Sequence, residues 1–170
     1  MTEQAGGARV VVGVDGSSGA RAALRFALED AVRRGVPVDV LTAYRPPEIW
    51  LDFYAVGDVD LDRAERAAAE QAEAFVAEVL REGPQPAPEV RVRAVLGTAA
   101  DVLVRESAGA DLLVVGSRGH GGFSSMLLGS VGMQCVLHAT CPVTVVHSPE
   151  AHRDRWLHHE RARRGRTTVG

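Results

Sequence analysis

The stretch from Leu112 to His147 constrains the fold more than any other part of this 170-residue chain. Asp111-Leu112-Leu113-Val114-Val115 is a short apolar run that stops at Gly116, the pattern of a strand buried on both faces of a parallel sheet. Gly116-Ser117-Arg118-Gly119-His120-Gly121-Gly122-Phe123 follows, and after a few more residues Gly129-Ser130 opens a helical segment, Val131 to His138. Pro142-Val143-Thr144-Val145-Val146 closes the unit as the next strand. Glycines in such a loop let backbone N–H groups converge without Cβ obstruction, and a helix start adds unsatisfied N–H groups carrying about half a positive charge. The combination predicts an anion cradle, with phosphate as the anion.

Upstream, Val10 to Val14 is another apolar run, ending at Asp15-Gly16, and forms the first central strand. Ser17 and Ser18 are candidate N-caps of a helix through about Arg34, with Leu24, Leu28, Ala31 and Val32 on its inner face and Gly35 as its stop. Val36 to Ala43 reads as the second strand. From about Asp60 to Glu82 an alanine-rich helix follows, its inner face drawn from Leu61, Ala68, Phe75, Val79 and Leu80. Val90, Val92 and Ala94 alternate with Arg91 and Arg93, so the third strand is wet on one side and belongs near a sheet edge. Gly97 and Thr98 lead into a short helix, Ala99 to Ser107. Five strands alternating with four helices predict a doubly wound, Rossmann-like α/β sheet with helices on both faces.

Two residues separate Gly116 from Gly119, nine separate Gly119 from Gly129, and Ser130 follows. That spacing resembles the nucleotide signature of the universal stress protein family, in its ATP-binding branch, and the resemblance runs from Arg9-Val10-Val11-Val12-Gly13-Val14-Asp15-Gly16-Ser17 to Val146. It implies a five-stranded parallel sheet of order 3-2-1-4-5, with the ligand crevice between strands one and four. There Asp15 and the Gly116 loop would face each other at the topological switch point. The resemblance further implies ATP, with Mg²⁺, as cofactor, and a regulatory homodimer joined through the last strand and acting in a stress response. By the matching positions, Gly13 and Ala43 line the adenine and ribose side, with Val14 beside them. Gly116, Ser117, Arg118, Gly119, His120, Gly121 and Gly122 form the phosphate loop, and Gly129, Ser130 and Val131 the helix start.

Read from the residues alone, several of these positions stay open. Asp15 is either a ligand or a turn aspartate bonding the backbone of Gly16-Ser17. Arg118 is either a phosphate counter-charge or an exposed loop arginine. His120 has no nucleophile and acid placed with it by sequence, so no catalytic residue is assigned. Ser130 can both cap its helix and offer its hydroxyl to phosphate. A slow ATPase or nucleotide hydrolase on the same sheet is the alternative function, although no general base is evident.

Lysine is absent, all 19 basic residues being arginine. A P-loop NTPase needs a lysine at its phosphates and a receiver module needs one after its last strand, so both are excluded. A net charge of −3 gives no pull toward nucleic acid or an anionic membrane. No run approaches the roughly 20 apolar residues of a membrane span, and a secretory start is lacking, so a cytoplasmic location is expected. Cys135 and Cys141 do not form a Cys-x-x-Cys pair and are expected to behave as small hydrophobes.

Two stretches fall outside the regular alternation. Tyr44 to Asp58 carries Pro46-Pro47 and then Trp50, Leu51, Phe53 and Tyr54. It is expected to be a lid or partner contact, or else a hydrophobic cluster packed on the same domain. The domain is bounded at 9–148, after a flexible 1–8, and 149–170 is a basic tail with six arginines and few large apolar residues, expected to be disordered.

Overall fold

The computed structural model describes residues 7–45, 60–119 and 128–149. Nine elements alternate: β1 (Val10–Gly13), α1 (Ser18–Arg34), β2 (Val38–Tyr44), α2 (Leu61–Arg81), β3 (Val90–Leu96), α3 (Ala99–Glu106), β4 (Leu112–Gly116), α4 (Ser130–His138) and β5 (Val143–Val146). The strands form one sheet in the order β3-β2-β1-β4-β5, parallel throughout. This is the doubly wound order expected above.

Local chemistry places the helix ends. The Ser17 side chain accepts from the Ala20 N–H at 3.1 Å, capping α1, and Gly35 closes that helix at φ 69 with its N–H returned to the last turn. Thr98 caps α3 in the same way, accepting from the Asp101 N–H at 3.1 Å. The second strand starts at Val38, two residues later than the sequence pattern suggested. Val36 still donates its N–H to the Ala31 carbonyl, and Pro37 has none to give the ladder.

Two cores sandwich the sheet. On one face Val10, Val12, Val38, Val40 and Val114 pack against Leu24 and Leu28 of α1 and Val76 and Val79 of α2. On the other, Val11, Leu41, Leu113 and Val115 meet Leu103 of α3 and Cys135 of α4. Three inner-face assignments need correction. Val32 is 42% exposed, while α1 buries Asp30, which pairs with Arg33 and Arg34. In α2 the buried positions are Ala72, Val76 and Val79, so the inner stripe includes two residues not anticipated. Leu61 lies on that stripe but is 41% exposed. At 21 residues α2 is about 32 Å long, against roughly 23 Å for the seven-residue β2 and β3, so it is longer than the strands it packs on.

The register locates the crevice. β1 stays paired with β2 as far as Gly13↔Leu41, and β4 with β5 as far as Gly116↔Val146. The pairing between β1 and β4 ends earlier, at Val12↔Val114. The two central strands therefore part at their C-terminal ends.

Candidate functional site

At that parting lies a cavity of about 520 Å³, within the roughly 300–1,000 Å³ range of small-molecule sites. Its wall on the β1 side is Gly13, Val14 and Asp15, and on the β4 side Gly116, Arg118 and Gly119. Ala43 comes from the end of β2, and Gly129, Ser130 and Val131 come from the start of α4. Ten of the residues singled out from sequence thus meet around one space. Ser117 does not line it, and His120, Gly121 and Gly122 lie outside the described residues, as do most of the aromatic loop and all but the first residue of the tail.

Sequence reasoning missed the apolar part of the wall. Leu41, Val102, Leu103 and Val115 supply it, and Ala20, Ala99 and Gly132 complete the lining. A Cβ on Gly13 would sit 2.6 Å from Leu103 Cδ1, so the bare backbone there lets Leu103 lean over the end of β1. Nothing in the sequence marks Leu103 as a site residue, because its leucine signal is that of any core position in a short helix.

Asp15 and Gly119 stand face to face across the crevice. The carboxylate Oδ1 of Asp15 accepts from the Ser17 N–H at 3.0 Å, while a Cβ on Gly119 would come within 2.3 Å of its Oδ2. Asp15 therefore holds the turn, one of the two roles considered for it, and also borders the cavity. Ser117 is an anchor of the loop base. Its N–H donates to the Val146 carbonyl and its own carbonyl accepts from the Gly129 N–H, both at 2.8 Å, tying β4 to β5 and to the start of α4. The Ser117 hydroxyl is buried and has no hydrogen-bond partner among the described residues.

The helix start differs in one detail from expectation. Gly129 is the N-cap of α4, with no side-chain capping bond, and Ser130 is the first helical residue. Ser130 therefore does not cap α4; it is exposed and lines the cavity. Because all strands run parallel, α1, α3 and α4 begin at the same end of the sheet, and Ala20, Ala99 and Ser130 bring their first turns to the cavity. Helix N-termini carry partial positive charge, so the rim favours an anion without lysine. Among the described residues Arg118 is the one cationic side chain on the lining and Asp15 the one carboxylate. No cluster of three or more His, Cys, Asp or Glu that could hold a metal occurs among them either.

Cys135 lies fully buried beneath α4, as expected of a small hydrophobe, and Cys141 is partly buried beside the same core. Burial, with a smaller contribution from Cys141, pushes the Cys135 thiol up to about 11, so it stays protonated at neutral pH.

A parallel sheet of this order, with a glycine-lined crevice at its switch point, defines a doubly wound α/β protein built to take a ligand at the strand ends. The family follows from comparison with known proteins: the chain belongs to the universal stress protein family, whose model matches residues 8–147. A universal stress protein of Mycolicibacterium smegmatis is 37% identical over 140 residues, covering 81% of this chain and 45% of the relative. Another, from Mycobacterium tuberculosis, is 40% identical over 141 residues, covering 81% and 45%. The chain thus spans about half the length of these curated relatives. Among solved structures, a universal stress protein in complex with cAMP is 28% identical, with a TM-score of 0.58 over 83% of this chain and 97% of that one.

Proposed function

We propose that the chain binds an adenine nucleotide, ATP with Mg²⁺, in the switch-point cavity and acts as a nucleotide-dependent regulatory homodimer in a stress response, in the cytoplasm. The observation that carries this reading is the cavity lining: Gly116, Gly119 and Ser130 share one cavity with the apolar Leu41, Val102 and Leu103. Phosphates would take backbone N–H groups of the loop and of α4, and the base would take the wall of Leu41, Val102 and Leu103. The cAMP complex of a relative supports an adenine ligand. A triphosphate carries more charge than Arg118 and helix termini offset, and Mg²⁺ is commonly held by phosphates with one or two carboxylates. Asp15, the one carboxylate on the described lining, would supply one.

The homodimer is supported by the β5 edge. Val143–Val146 is the last strand of the sheet, and no charged side chain interrupts it or α4. On α4, Gln134 and His138 face α3, while Met133, Val136 and Leu137 form an exposed apolar face on the other side. Edges of that kind pair. A dimeric mass by light scattering at tens of micromolar is expected, and Val145→Lys should weaken the dimer; a monomer at that concentration refutes it. No described helix is long and apolar enough to cross a membrane.

The decisive experiment is mass spectrometry of nucleotide released from denatured, freshly purified protein, followed by calorimetry with ATP, ADP and AMP. Gly119→Asp drives a side chain into the Asp15 carboxylate and adds a like charge, so binding should be lost while the fold persists. Equal binding by this variant and the unmodified protein would remove the cradle assignment. Rapid steady-state phosphate release would instead favour the enzyme reading.

A further inference from the structure

Gly19 does not line the cavity, yet the phosphate loop rests on it. It is buried in the first turn of α1, where a Cβ would stand 2.1 Å from the Arg118 carbonyl oxygen and 3.2 Å from its carbonyl carbon. From the other side, a Cβ on Gly116 would meet the carbonyl carbon and oxygen of Gly19 at 2.7 Å. Helix backbone and loop backbone are thus in direct contact, with no flexible side chain between them to give way. Close-packed backbone of this kind transmits a displacement instead of absorbing it.

The contact has a directional consequence. In a planar trans peptide the carbonyl of one residue and the N–H of the next point in opposite directions. Seating the Arg118 carbonyl against Gly19 therefore fixes the direction of the Gly119 N–H. Gly119 borders the cavity opposite Asp15, and its N–H is one of the backbone donors the cradle needs. The other anchors of the loop base, the Ser117 bonds to Val146 and Gly129, hold the preceding residue and do not set this peptide plane.

We propose that Gly19 is a positioning residue for phosphate recognition: its missing side chain sets the Arg118–Gly119 peptide so that the Gly119 N–H serves the phosphates. The inference rests on the nucleotide-binding reading and goes beyond it by assigning phosphate selectivity to a residue that touches no ligand. Gly19→Ala displaces the Arg118 carbonyl and so the donor, while the wall of Leu41, Ala43 and Leu103 is untouched.

The test compares ATP with adenosine by calorimetry in the unmodified protein and in Gly19→Ala, with folding checked by circular dichroism. The expected result is a loss of about tenfold in ATP affinity, the size of one charge-assisted hydrogen bond at its weaker end, with adenosine affinity held within about twofold. An unchanged ratio of ATP to adenosine affinity in a folded Gly19→Ala protein overturns the proposal. Failure of the unmodified protein to bind either ligand overturns the nucleotide reading itself, and this inference with it. Should the variant not fold, hydrogen exchange on the unmodified protein decides. ATP, but not adenosine, should slow exchange in residues 18–21 together with 117–119; protection of 117–119 with 18–21 unchanged counts against the coupling.

Discussion

The two faces of the sheet are built from the same kind of strand and end in different states. The face under α1 and α2 is closed by helices of 17 and 21 residues, about 26 and 32 Å long. The face under α3 and α4 has helices of 8 and 9 residues, about 12 and 14 Å long. The strands β1, β4 and β5 have four, five and four residues, roughly 13–17 Å, so the short helices match these short strands in length. The cavity opens at the C-terminal ends of β1 and β4, where their pairing stops at Val12↔Val114 and the first turns of α1, α3 and α4 converge. The site lies where the two central strands part, and its apolar wall, Leu41, Leu103 and Val115, belongs to the short-helix face.

The largest expected contrast is in stability. Leu28 is fully buried between α1 and the sheet, whereas Leu103 is 4% exposed and borders the cavity. Leu28→Ala should cost about 4 kcal/mol and Leu103→Ala about 2 kcal/mol, because a truncation beside existing space leaves less new void. Urea denaturation measures both. Equal costs would mean that the α3/α4 face is packed as tightly as its counterpart. Leu103→Ala should also weaken adenosine binding, which Leu28→Ala should not.

A second contrast appears with pH. The Cys135 thiol, on the short-helix face, is raised by burial to about 11, above its value of about 8.5 in an unfolded chain. The folded state therefore holds this proton more tightly than the unfolded state does. Its contribution to stability is complete below about pH 8.5 and is lost as pH rises toward 11. Cys135→Ala should flatten that part of the stability curve, measured as the difference between the two proteins from pH 8 to 10.5. Parallel curves would show that the thiol is not shielded in the folded state.

The smallest effects concern the helix starts. Ser17→Ala and Thr98→Ala should each cost about 1 kcal/mol, since each removes a capping bond. Ser130→Ala should leave stability within about 0.5 kcal/mol, because α4 has no side-chain cap to lose. Its effect should fall on ATP affinity instead, by about 1 kcal/mol. Loss of stability in Ser130→Ala without loss of affinity would reverse the assignment and make the serine structural.

Much of this was legible along the chain. The arginines alternating in β3 marked an edge strand, and β3 lies at the edge with Arg91 and Arg93 on ion pairs with Glu89 and Glu106. The glycine spacing from Gly116 to Gly129 marked a site, and the fold does bring Gly119 to Asp15. What misled were residues whose local signal is satisfied in more than one way. Ser130 has the chemistry of a cap, but the extended residue that precedes the helix is Gly129. Ser117 sits inside the motif, but its backbone bonds both neighbours and its side chain is buried. Val32 continues an apolar stripe and is nonetheless exposed.

The order of short apolar runs, caps and glycine stops is local information, and it marks which segments become strands and helices and the alternation that a parallel, doubly wound sheet requires. Position in space is different in kind. That Gly19 lies against Arg118, that Leu103 leans over Gly13, and that Ser117 is buried off the cavity its neighbours line all depend on contacts between residues distant along the chain. Such contacts are set by how far each helix reaches across the sheet and where β1 and β4 part, and no single segment carries that information before the layers pack together.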